Sequence, residues 1–198
     1  NSNSGFDQNI LEDLLDSCKD VTLDIYTSNE SMIGHAEYIR DGLNWAQWRN
    51  NVAFLAESKQ LRGLHMMCTI NALCLESLPE FLDFILEFKN RYGRDFPSFT
   101  LNILRFPSFQ SPLVFSDELR NYHKERLATW LEKNATNPLL HEHEINHTQR
   151  LIDYLDIVKS PHSEAFELDK LRNDFKQFYT QYDQRRNKHF TSTFLRLA

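Results

Sequence analysis

The constraint that most narrows the fold is an alternation of short β-branched runs with longer stretches of helical periodicity. Residues 21–26 carry a short apolar run with β-branched content, and residues 64–70 and 99–104 are two more of the same kind. Between them, Trp45, Trp48, Val52 and Leu55 recur at spacings of three and four, and Phe81, Phe84 and Phe88 do the same within 78–92. Strands separated by helices pair in parallel through right-handed crossovers. This grammar predicts an α/β barrel whose chemistry lies on the loops at the carboxyl ends of its strands. Three parallel strands alone leave two open edges and uncovered faces, so a partner half of the barrel is expected as well.

The remaining spacing fills in the order. A helix is expected over 6–18, with Phe6, Ile10, Leu14 and Leu15 on one stripe and Asp7 at its start. An irregular excursion over 27–44 holds a short helix at 33–40. After the proline-punctuated loop at 105–115 come three helices, over 116–133, 141–158 and 168–183, and then a polar tail. The chain divides accordingly into 1–107, the strand-bearing part, and 108–198, a helical extension packed on it.

Composition excludes several functions. The net charge of −6 with no basic run disfavours nucleic acid, which is held by clustered Lys and Arg. No apolar stretch reaches the roughly 20 residues that cross a bilayer. Cys18, Cys68 and Cys74 are odd in number and irregularly spaced, which suits buried thiols in a reducing, cytoplasmic compartment. Neither a glycine-rich phosphate loop nor a G-x-S-x-G elbow is present.

Several segments, in order, resemble radical S-adenosylmethionine (SAM) enzymes of the group with a short "twitch" extension related to SPASM proteins. Ser2 to Phe6 resembles the T-N-G that ends the third barrel strand of that family. Thr22-Leu23-Asp24 resembles its S-L-D, and the run from His35 to Trp45 its A-E-Y-I-R-x-G. Thr69 to Leu73 resembles its T-x-N-x-L, Leu101 to Pro107 its sixth-strand exit, and Phe175 to Phe194 its closing segment, with Leu195 where the family has proline. The resemblance implies a partial (β/α)6 TIM-like barrel entered at the end of strand three. It also implies a [4Fe–4S] cluster that cleaves SAM to a 5′-deoxyadenosyl radical, and a substrate of peptide class.

By the same resemblance Thr22, Asp24, Arg40 and Asn71 surround SAM, with Asn3 and Arg105 at neighbouring strand ends. The residue types suit that ligand: a hydroxyl for ribose or carboxylate, a planar guanidinium for carboxylate, an amide for ribose hydroxyls. Read without the resemblance, Thr22 is an ordinary strand residue, Asp24 a loop cap, and Arg40 a partner for Glu37 one turn away. The family's C-x-x-x-C-x-x-C cluster motif is absent from the sequence. The chain thus reads as a fragment of such an enzyme, inactive by itself, or alternatively as a binding module without a cluster.

A competing motif is His143-Glu144-Ile145-Asn146-His147, which matches the H-E-x-x-H of zinc peptidases, with Glu167 at the distance of a third ligand. On a helix its two imidazoles share a face. Leu151, Ile152 and Leu155 predict that another face packs inward, which makes a solvated first turn the expectation here.

Overall fold

A computed structural model describes residues 4–157 and 161–197, without the side chains of 161–166. Helix α1 (Gln8–Ser17) leads to strand β1 (Leu23–Thr27), then α2 (Ile33–Ile39) and α3 (Trp45–Glu57). Strand β2 (Leu61–Ile70) passes through a 3-10 turn at Ala72–Glu76 into α4 (Leu78–Tyr92), and β3 (Ser98–Ile103) follows. Four helices complete the chain: α5 (Asp117–Asn134), α6 (Glu142–Leu155), α7 (Pro161–Arg186) and α8 (Phe190–Thr193).

The strands form one sheet in the order β1-β2-β3, both pairs parallel as the alternation requires. The expected partial (β/α)6 barrel is not formed. The sheet is small, open and three-stranded among the described residues. Alternation specifies parallel pairing but not closure, which needs more strands at a common tilt and shear.

The two faces of the sheet differ chemically. Leu64, Met66, Cys68 and Ile70 of β2 are fully buried on one face, and Phe99 and Leu101 continue it on β3. This face joins a continuous core with Trp48, Val52 and Leu55 of α3 and Phe81, Leu82 and Ile85 of α4. The other face carries Asp24 and Tyr26, then Gly63, His65, Met67 and Thr69, then Ser98, Thr100 and Asn102. It is polar, and toward its carboxyl end Thr69 and Asn102 are exposed. Parallel sheets are ordinarily apolar on both faces, so a polar, partly exposed face departs from the usual pattern.

The β3 edge is closed by side chains of α6 rather than by another strand. Glu144 Oε1 accepts the Phe99 N–H at 2.8 Å, and His147 Nδ1 accepts the Leu101 N–H at 3.0 Å. Arg150 donates to the Leu101 carbonyl at 2.6 Å. Spaced three apart, these residues stand in a row on one helix face. They satisfy backbone groups that an edge strand otherwise offers to a neighbouring chain.

Candidate functional site

At the carboxyl end of β1 the chain turns through a buried polar loop. Asn29, Glu30 and Ser31 are all within 2 % of full burial. Asn29 Oδ1 accepts the N–H of Glu30 at 2.8 Å and of Ser31 at 3.4 Å, an Asx turn. Ser77 at the start of α4 accepts the Met32 N–H at 3.1 Å and ties the loop to its neighbour. Ile33 then begins α2 at φ 41°, a left-handed conformation that a β-branched residue holds only under constraint.

Glu30 is the hub of this loop. Arg40 grips its carboxylate with both arms, Nε to Oε1 at 3.0 Å and Nη2 to Oε2 at 2.5 Å. The Thr69 N–H at the end of β2 adds a third approach at 3.4 Å. Burial pushes the Glu30 carboxyl above its ordinary value, and Arg40 works against that shift. Burial also opposes the charge on Arg40, but Glu30 outweighs it and the guanidinium stays charged. Asn29 Nδ2 is a buried donor with no hydrogen-bond partner among the described residues.

The residues singled out from the sequence fall into separate places. Arg40 pairs with Glu30 rather than Glu37, whose carboxylate instead accepts the Trp45 N–H at 2.9 Å. Its fork is therefore closed to a ligand carboxylate. Asn71 follows β2 directly, and its Oδ1 accepts the Cys74 N–H at 3.2 Å, capping the 3-10 turn. Thr22 and Asp24 lie at the opposite, amino end of β1. Thr22 is exposed ahead of the strand. Asp24 is held by Arg62, which keeps its carboxyl below the ordinary value. Asn3 lies outside the described residues. Arg105 stands exposed at the exit of β3, its guanidinium 5.7 Å from the centre of the Tyr154 ring and without a hydrogen-bond or ion-pair partner among the described residues.

Thus Arg105, rather than Arg40, is the guanidinium open to solvent at the strand ends. Thr69 and Asn102 sit in register beside each other on β2 and β3 and open onto the same polar face. The sequence reading passed over Asn102, Asn29 and Glu30. Asn102 lies inside the Leu101 to Pro107 segment and alternates with the buried Leu101 and half-buried Ile103, a period-two signal that marks it as facing away from the core.

Toward the amino end, the same face carries a second polar group. His65 Nδ1 lies 2.7 Å from Ser98 Oγ, its ring stacks on Tyr26 at 4.6 Å, and its Nε2 is 3.9 Å from Asp24 Oδ1. Gly63 makes this arrangement possible. A Cβ there would come within 2.7 Å of His65 Nε2 and 3.1 Å of Asp24 Oδ1. Asp24 is committed to Arg62, and its distance from the imidazole exceeds a hydrogen bond, so the three strands do not assemble a working triad.

The H-E-x-x-H segment is structural. Glu144 is not the solvated first-turn residue the sequence suggests. It is fully buried, meets the Lys89 ammonium at 2.9 Å, and also accepts the His141 and Phe99 N–H groups. His147 is spent on Leu101 and His141 faces Asp95, while Glu167 is exposed on α7. Among the described residues no group of three or more His, Cys, Asp or Glu is placed to hold a metal ion.

The cysteines do not fit an iron–sulfur cluster either. Cys68 and Cys74 are fully buried, and burial pushes both thiols well above their ordinary value, away from the thiolate a cluster needs. Cys18 sits apart, at the end of α1.

The chain matches no protein-family model, no curated protein and no solved structure in the comparisons made. Among the described residues no helix is long and apolar enough to cross a membrane.

Proposed function

We propose that the carboxyl-end half of the polar sheet face binds SAM, and that the chain is the ligand-holding part of a radical SAM protein. The observation that carries this reading is the exposure of Thr69 and Asn102 in register at the carboxyl ends of two adjacent parallel strands, with Arg105 exposed just beyond the end of β3. Carboxyl-end crevices are where parallel α/β sheets take their ligands. The resembling segments from His35 to Trp45, Thr69 to Leu73 and Leu101 to Pro107 flank the same end. Arg105 supplies a fork for the methionine carboxylate. Thr69 and Asn102 offer donors and acceptors for ribose hydroxyls.

These residues fit SAM, whose bound form supplies the adenosyl group that the family's chemistry uses. They do not fit the [4Fe–4S] cluster, whose ligands must come from other polypeptide. What this chain contributes is orientation of the ligand. A peptide substrate remains the class the resemblance suggests.

The test is to express the whole reading frame that contains this chain under anaerobic conditions. Iron, sulfide and SAM cleavage to 5′-deoxyadenosine are then measured. The reading predicts all three, with cleavage lost in Arg105→Ala. A protein that binds SAM but carries no iron supports the second reading, a binding module without a cluster, which the inert, buried Cys68 and Cys74 favour for the chain taken alone. A protein that neither carries iron nor binds SAM contradicts both.

A further inference from the structure

A separate cavity of ≈ 550 Å³ lies between α7 and the C-terminal segment. Its size falls within the roughly 300–1,000 Å³ typical of small-molecule sites. One wall is a single face of α7, with Phe175, Tyr179 and Asp183 in one row and Lys176, Thr180 and Gln184 in the next. The other wall is Phe190 and Thr191 of α8 with Leu197. The aromatic rings form one connected lining. Phe175 and Tyr179 are 4.6 Å apart, Tyr179 and Phe190 5.5 Å, and Phe175 and Phe190 6.0 Å.

The polar groups of this cavity divide into committed and free. Asp183 already accepts hydrogen bonds from the Tyr38 hydroxyl and the Phe190 N–H, each at 2.7 Å, so its charge serves the fold. Thr180 donates back to the Lys176 carbonyl at 2.8 Å. The Lys176 ammonium and the Gln184 amide have no hydrogen-bond or ion-pair partner among the described residues. An aromatic slot with one free cation and one free amide at its rim suits a flat apolar body carrying one negative charge. The Asp183 carboxylate on the same wall disfavours a dianion such as a phosphate monoester.

We infer that this cavity is a binding site for aromatic monoanions of the aryl carboxylate class, distinct from the strand-end surface. The rings supply stacking area, while Lys176 and Gln184 hold the acidic group.

The test uses the full chain with 1-anilinonaphthalene-8-sulfonate as fluorescent probe and 2-naphthoate as competitor. The inference predicts saturable binding at one probe per chain, displaced by 2-naphthoate. Lys176→Glu should weaken it by about tenfold, Lys176→Arg should retain it, and Thr180→Trp, which fills the cavity, should abolish it. Lys176 and Thr180 are exposed, so all variants should keep the parent's thermal midpoint. Unsaturable binding, or equal affinity in Lys176→Glu and Thr180→Trp, overturns the inference. A second readout is the amide shifts of Phe175, Tyr179 and Phe190 on adding 2-naphthoate. Their absence overturns it independently of the probe.

Discussion

Lys89 on α4 and Glu144 on α6 meet at 2.9 Å with neither side chain exposed to solvent. The pair is fully satisfied: Lys89 also donates to the Arg94 carbonyl, and Glu144 also accepts the Phe99 and His141 N–H groups. Removing one member leaves an uncompensated buried charge and, for Glu144, an orphaned edge-strand donor. Glu144→Ala is expected to cost about 3–5 kcal/mol, read from urea unfolding. Because the carboxylate is structural, metal content should not differ between parent and variant.

The β3 edge should loosen in acid. His147 Nδ1 can accept the Leu101 N–H only while unprotonated, and burial, followed by Arg150, lowers the imidazole below its ordinary value of 6.5. A base whose folded value is depressed contributes stability that is complete above 6.5 and lost as pH falls through the folded value. Amide exchange at Leu101, corrected for its intrinsic pH dependence, should therefore accelerate below pH 6.5. His147→Leu should expose the amide at all pH values and abolish that dependence.

Arg40→Ala should act on stability before it acts on any ligand. It leaves the Glu30 carboxylate buried at 3 % side-chain exposure without its partner, a loss of about 3 kcal/mol at neutral pH. The sign of its pH dependence is fixed by the raised value of Glu30. A carboxyl raised on folding stabilises below its unfolded value and loses that contribution as pH rises through the folded one. Parent and variant should therefore converge as pH falls and Glu30 takes up its proton. Equal stability of the two at neutral pH would remove the pair from this account.

Gly63→Ala tests the packing beneath His65. The added Cβ would meet an imidazole already fixed by Ser98 and Tyr26, so either the ring moves or the strand does. The expected cost is about 1–3 kcal/mol. The His65 ring resonances should shift, since its stack on Tyr26 cannot persist unchanged.

Much of the core was legible in the sequence, and the polar architecture was not. The stripes of α3 and α4 announce their buried faces because helical spacing is local, and parallel pairing follows from alternation. Closure was misread because nothing local distinguishes three strands of a barrel from an open sheet. The Thr22-Leu23-Asp24 segment falls at the amino end of β1, a placement that spacing alone does not reveal. Only the start of pairing at Leu23 shows that Asp24 sits near the amino end, with Glu30 beyond the carboxyl end. Glu144 looked like a solvated first-turn residue because its burial depends on how α6 lies along β3, a contact spanning 45 residues. The polar tail showed no partner in the sequence, yet Arg186 reaches Asp41 at 2.9 Å and Lys188 donates to the Glu37 carbonyl at 2.8 Å.

The most direct test of the strand-end site is amide chemical-shift mapping of the chain titrated with SAM. The account predicts saturable shifts at Thr69 to Asn71 and Asn102 to Arg105, reduced in Arg105→Ala and retained at the amino-end residues only as background. Shifts confined to α7, or none at saturating SAM, would contradict it.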